Sequence, residues 1–126
     1  PGPTFRHELY PGYKEHRPAM PEELSVQLTP IEDLALCMGL PVLEKPGMEA
    51  DAVMATLSRV GAEAGYEVVL VTGDKDMLQV VGEHVSVLNP QGRGEDYTRL
   101  DPDGVRAKWS VGPESIPAKK SSSFLT

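Results

Sequence analysis

Apolar positions along this chain recur first at helical and then at strand spacing. Leu24, Leu28, Ile31, Ala35 and Met38 follow one another at alternating steps of four and three, which lines one face of a helix. Pro21 followed by Glu22 and Glu23 puts a proline in the first turn and carboxylates at the positive end of the dipole. Pro30 should kink or divide that helix, and Gly39, with Pro41 beyond it, should end it. Two strand–helix units follow. Residues 41–44 read as a short strand, and residues 49–64 as a helix with Val53, Leu57 and Val60 on one side, stopped by Gly65. Residues 68–71, Val-Val-Leu-Val, have the composition of a strand buried on both faces of a parallel sheet. Thr72-Gly73-Asp74 then turns into a short helix over residues 75–81, and residues 85–88 make a third strand. Asn89-Pro90 and residues 92–94 form a turn, while Asp101-Pro102 is the cap and first residue of a helix through Trp109. Strands alternating with helices predict an α/β domain with a mostly parallel sheet and flanking helices.

Composition narrows this picture only a little. The chain of 126 residues, 40% apolar and 25% charged, suits one globular domain with a real core. No apolar run approaches the ~20 residues of a membrane-spanning helix, and no signal-peptide pattern opens the chain. The one cysteine, Cys37, has no internal disulfide partner and is expected as a buried thiol among Leu34, Leu36 and Met38, which fits a reducing cytoplasm. The net charge of −7 argues against nucleic acid as an average, but distribution matters more than the sum. Arg6, Lys14 and Arg17, with His7 and His16, lie near the start among Phe5, Tyr10 and Tyr13. Rings that stack on bases beside cations that meet phosphates are what single-strand recognition needs, although a solvated helix face has a similar composition.

The carboxylates carry the most chemistry. Glu49 and Asp51, then Asp74 and Asp76, each follow the carboxyl end of a predicted parallel strand, the edge where open α/β sheets bind ligands. Were those strands neighbours, four carboxylates would converge and repel one another unless cations neutralised them. Hard oxygen donors of that kind suit Mg²⁺ or Mn²⁺, and the chemistry served best is phosphodiester cleavage. The same residues also read as helix caps and first-turn acids, and the pattern alone leaves both readings open. Lys75, between two aspartates, either touches a phosphate or balances local charge. Trp109 and Tyr97 read as packing or surface residues, and His84 as an exposed edge residue.

Longer motifs add a resemblance. Phe5-Arg6-His7-Glu8-Leu9-Tyr10, Tyr13-Lys14, Arg17-Pro18 and Met20-Pro21-Glu22 resemble the helical arch of the 5′-nuclease domains of bacterial DNA polymerases I. Gly47-Met48-Glu49-Ala50-Asp51 followed by Val53 is similar to that family's Glu-Ala-Asp-Asp-Val motif, and Thr72-Gly73-Asp74-Lys75-Asp76-Met77-Leu78-Gln79 to its second acidic motif. Asn89-Pro90-Gln91-Gly92 and Val111-Gly112-Pro113-Glu114-Ser115-Ile116 continue the likeness in order, so it covers residues 3–116.

The resemblance implies a flap-endonuclease-like, PIN-type fold: an arch segment at 1–20, an α/β core at 21–116 and a divergent or disordered tail at 117–126. It implies 5′-3′ exonuclease and flap-endonuclease activity dependent on Mg²⁺ or Mn²⁺, acting on DNA replication and repair intermediates. Glu49, Asp51, Asp74 and Asp76 would hold the metals, and Lys14 and Arg17 would approach the scissile phosphate. Arg6, Tyr10, Tyr13 and Lys75 would contact DNA. The implied partners are DNA with 5′ flaps or ends and a polymerase domain of the same parent chain, with no membrane, a monomeric state and the bacterial cytoplasm at the nucleoid. Ala52 stands where the family has a second aspartate. The family's first strand and second-strand aspartate are expected to precede Pro1, and its Gly-Asp-x-x-Asp-Asn motif and helix-hairpin-helix to follow Ile116. On those grounds the chain alone is expected to be weak or inactive. The rival expectations are a non-catalytic DNA-binding remnant of the same fold and a PIN-type ribonuclease.

Overall fold

The structure is a computed structural model that describes residues 5–12, 14, 18–90 and 98–116. The chain divides into two compact units, Pro1–Ala50 and Asp51–Thr126. The expected turn at 92–94 and the tail at 117–126 lie outside the described residues.

Among the described residues the first unit holds three helices, α1 (Phe5–Leu9), α2 (Glu22–Ser25) and α3 (Leu28–Cys37). Helix α2 opens where the proline and glutamates predict, with the Pro21 carbonyl accepting from the Leu24 and Ser25 N–H groups. The long predicted helix is divided, but at residues 26–27 and not at Pro30. Pro30 falls in the first turn of α3, where an N–H would have no intrahelical acceptor to lose. At the other end Gly39 takes a φ of 76°, and the Leu40 N–H returns to the Ala35 carbonyl, closing the helix as expected. No residue of α2 or α3 is buried, and Leu24, Ile31 and Met38 of the predicted stripe are exposed. Cys37, expected as a buried thiol, is exposed for the same reason: α3 buries none of its faces. Residues 41–44 form no strand. Pro41 and Pro46 bring no N–H to a ladder, and the apolar run between them is only Val42 and Leu43.

The second unit runs α4 (Ala50–Glu63), β1 (Val68–Val71), β2 (Val85–Asn89), β3 (Thr98–Leu100) and α5 (Pro102–Trp109), with 3₁₀ turns at Lys75–Val80 and Pro113–Ser115. The sheet order is β1-β2-β3. Strands β1 and β2 are parallel, with Val68 opposite Val85, while β3, unpredicted, is antiparallel to β2 with Leu100 opposite Val87. The fold is α/β, with a small mixed sheet in place of the mostly parallel one expected. Strand β1 is expected to be buried on both faces; among the described residues it is an edge strand, with Val69 and Val71 43% and 60% exposed. The central strand is β2, where Val85, Ser86 and Val87 are all buried. A β-branched run marks a strand, but both central and edge strands use it.

The core closes around β2 through Met77, Leu78, Val81, Leu100, Val105 and Ile116. Helix α4 meets it with Met54, Ala55 and Ala62, whereas Leu57 and Val60 of the predicted face are exposed. The reason is size. Gly61 lets the helix rest close on β1, since a Cβ there would stand 3.0 Å from Val68 Cγ2. Ser58 is buried beside it and satisfies its hydroxyl by donating to the Ala55 carbonyl at 2.9 Å. Gly65, at a φ of 88°, ends α4 as expected. Helix α5 also starts as predicted: the Asp101 carboxylate accepts from the Gly104 N–H at 2.7 Å, with Pro102 next in line.

Candidate functional site

In the first unit, the basic stretch folds back on a carboxylate. The Phe5 N–H donates to the Gly47 carbonyl at 2.9 Å, tying the start of α1 to the loop that carries Glu49. Glu49 then accepts from both the Arg6 guanidinium and the Lys14 ammonium. Arg6 also stands 5.4 Å from the centroid of the Phe5 ring, within cation–π range. Lys14 holds a φ of 61°, a left-handed conformation uncommon for a side chain without special need. Tyr10 is exposed, and its N–H donates to the Arg6 carbonyl at 2.9 Å. Tyr13 and Arg17 lie outside the described residues.

In the second unit, the turn after β1 carries the acidic pair. The Thr72 N–H reaches the Leu88 carbonyl, which extends the parallel ladder one residue past the strand. Thr72 Oγ1 accepts from the Asp74 N–H at 3.1 Å, and Asp74 Oδ1 accepts from the Asp76 N–H at 2.9 Å. Asp74 is therefore the cap that its position predicts. Capping occupies Oδ1 and leaves Oδ2 out of that bond, so cap and cation ligand are compatible roles. Asp74 is exposed and Asp76 half-buried, both at the carboxyl end of the parallel pair. A cleft of about 270 Å³ opens beside Asp74, floored by Leu78, Val87 and Leu100. Lys75, although flanked by two aspartates, holds its ammonium 5.1 Å from the centroid of the Trp109 ring.

Of the four expected metal ligands, Glu49 belongs to the first unit and Asp51, Asp74 and Asp76 to the second. Asp51 is exposed in the first turn of α4. The neighbouring strands expected to gather the two pairs do not form, because residues 41–44 are irregular and β1 pairs with β2. Among the described residues, no group of three or more His, Cys, Asp or Glu side chains is placed to hold a metal ion. Asp74 and Asp76 are hard oxygen donors of the kind that Mg²⁺ and Mn²⁺ take, and Mg²⁺ commonly keeps several waters beside one or two carboxylates.

Asn89 and Lys108 lie outside the site expected from the sequence, and Trp109, expected as a packing or surface residue, does pack against the core; all three line the cleft with Asp74 and Lys75. The available signal was the basic–aromatic pair Lys108-Trp109 at the end of α5, the same kind of pairing that drew attention to Lys14 and Tyr10. Its place beside Asp74 depends on β3, which no local pattern announced.

The sequence profile of the family described as 5′-3′ exonuclease, N-terminal resolvase-like domain, matches residues 1–110. A DNA polymerase I of Pseudomonas aeruginosa is 48% identical over 115 residues, covering 91% of this chain and 12% of the polymerase. That of Deinococcus radiodurans is 43% identical over 111 residues, or 88% of this chain and 11% of the polymerase. A 5′-3′ exonuclease of Aquifex aeolicus is 39% identical over 117 residues, covering 93% of this chain and 39% of the exonuclease. The chain thus spans a small part of those polymerases and well under half of the exonuclease. With the profile covering most of its length, the chain belongs to the 5′-3′ exonuclease family, within the N-terminal resolvase-like domain.

Proposed function

We propose that the chain is part of a divalent-metal-dependent 5′ nuclease, of the kind that removes 5′ nucleotides or flaps from DNA during replication and repair. The observation that supports this most directly is the Asp74–Asp76 turn at the carboxyl edge of the parallel pair, opening onto a cleft. Asp74 and Asp76 would hold Mg²⁺ or Mn²⁺, with Asp51 and Glu49 as the further ligands of the same centre. A cation so held supplies an activated water and neutralises charge developing on a phosphodiester. Lys14 and Arg17 would steady the scissile phosphate, Arg6, Tyr10 and Tyr13 the strand that carries it. In this reading residues 1–20 are the arch and residues 21–116 the α/β core. The partners are DNA with 5′ ends or flaps and a polymerase domain of the parent protein, and the chain acts as a monomer in the bacterial cytoplasm. Among the described residues no helix is long and apolar enough to cross a membrane.

Ala52 removes one oxygen donor beside Asp51, so turnover by this chain should be weak or absent. Calorimetry with Mn²⁺ tests the centre directly. Binding should weaken at least tenfold in Asp74→Asn, which keeps the cap because Asn caps as well as Asp, and should tighten in Ala52→Asp. Equal Mn²⁺ affinity in all three proteins would sink the assignment. One observation favours a second reading, a non-catalytic DNA-binding module of the same fold: the Glu49 carboxylate is engaged by Arg6 and Lys14. Binding of flapped DNA that ignores EDTA, with no cleavage in Mn²⁺, would select it.

A further inference from the structure

We propose that the cleft beside Asp74 is a subsite for one nucleotide of single-stranded DNA, its phosphate met by Lys75 and Lys108 and its base by the Trp109 indole; this rests on the nuclease reading above. The cleft combines the two features such recognition requires. Its floor is apolar, and its lining includes two lysines, an indole and the Asn89 amide. At about 270 Å³ it lies just below the range of small-molecule pockets, roughly 300–1,000 Å³, a size for one nucleotide and not for several.

The placement of Lys75 is the decisive detail. Local charge would draw its ammonium onto Asp74 or Asp76, yet the ammonium stands over the indole on the cleft wall. There it adds positive charge to the cleft without neutralising the carboxylates next to it. In a chain with a net charge of −7, a phosphate needs such a local cation to approach an acidic edge at all. Stacking on an aromatic face is tolerant of sequence, because every base offers a π-face. Asp74 lines the same cleft, so a nucleotide bound there lies alongside the carboxylate assigned to the cation.

Trp109 is the chain's one tryptophan, so its fluorescence reports from the cleft alone. Titration of the 126-residue chain with a 5′-phosphorylated oligothymidylate in EDTA should give a saturable change that weakens as salt is raised. Replacing both lysines, Lys75→Met with Lys108→Met, should weaken binding at least fivefold while circular dichroism stays that of the parent. Trp109→Leu, read by anisotropy of a labelled oligonucleotide, should cost about fivefold or more through lost stacking. No tryptophan response, an unchanged affinity in the double lysine variant, or a response reproduced by inorganic phosphate alone would each overturn the assignment.

The pair Asp74→Asn and Asp76→Asn separates this inference from the nuclease reading. It removes carboxylate repulsion and the cation ligands together, so oligonucleotide binding in EDTA should hold or tighten while Mn²⁺ binding falls. Oligonucleotide binding lost with the carboxylates would mean that phosphate enters through the cation, and the lysine–indole subsite would be wrong. Absence of Mn²⁺ binding in the parent, with the tryptophan response intact, would remove the nuclease reading and leave the subsite standing.

Discussion

In residues 1–50, Glu49 is held by charge: Arg6 and Lys14 reach it from well upstream in the chain, and no described residue there belongs to a buried core. In residues 51–126, Asp74 and Asp76 are held by their own backbone, in a turn that rests on Met77 and Leu78 at the centre of the core. The first arrangement is adjustable, because partly exposed ion pairs are weak and respond to salt. The second is preorganised, because moving the aspartates means disturbing packed side chains. A metal-binding turn gains from rigidity, whereas a segment that must admit a DNA strand gains from give. The contrast between the units therefore matches the roles proposed for them.

The strongest way to break that contrast is through the apolar side chains. Met77 is 2% exposed, and Met77→Ala should cost about 2–5 kcal/mol in urea denaturation. Leu34, in α3, is 60% exposed, and Leu34→Ala should stay within about 0.5 kcal/mol. Comparable losses would show that α3 is covered in solution and that both units carry a core.

The same two regions explain what could be read from the sequence. Where structure follows from neighbours a few residues apart, reading worked: the Asp101-Pro102 start of α5, the Asp74 cap, the Gly39 and Gly65 stops, and the bounds of β1 were all legible. It failed where the answer lies far along the chain. Strand β3 spans only Thr98–Leu100 and exists because Leu100 finds Val87. Apart from Met54, the packed face of α4 is Ala55, Ser58 and Ala62, small residues that suit the approach of Val68 to Gly61 and that a search for large apolar side chains passes over. The candidate site divides in the same way. Asp74 and Asp76 share one turn and were found together, while the Arg6–Glu49 pair spans 43 residues and the Lys75–Trp109 contact depends on the fold. Residues 41–44 misled because a two-residue apolar run between prolines looks like a strand only until a partner is required.

Two helix-ending glycines sharpen the comparison with a smaller effect. Gly39 and Gly65 hold φ values of 76° and 88°, and a Cβ at either would meet nothing within 4 Å. Alanine therefore adds only backbone strain, about 1–2 kcal/mol for an L-residue in that conformation. At Gly65 this should lower global stability by about that amount. At Gly39 it should instead raise amide exchange at the end of α3, with the urea midpoint unmoved. Equal shifts in the midpoint would mean that the two units unfold as one.

The smallest effect tests whether charge in the second unit is as peripheral as the contrast requires. His84 sits just before β2, and its carbonyl accepts from the Val68 N–H at 2.8 Å, next to the start of β1. Its Nδ1 lies 2.6 Å from Glu67 Oε1, with both side chains exposed. The hydrogen bond to Glu67, then the charge of Glu67 and to a lesser degree that of Glu83, raise the imidazole above its ordinary 6.5. A raised histidine stabilises the fold fully below the unfolded value near 6.5, and that contribution fades as pH climbs through the folded value. Stability should thus fall slightly on going from mildly acidic to mildly alkaline solution. Glu67→Gln should flatten the trend, since glutamine keeps a hydrogen-bonding group and removes the charge. Proton NMR titration of the His84 ring gives the reading directly: its midpoint should lie above 6.5 in the parent and move toward 6.5 in Glu67→Gln. An unmoved midpoint would assign the shift to Glu83. A loss of stability in Glu67→Gln as large as that in Met77→Ala would show that the second unit, too, leans on its surface charges.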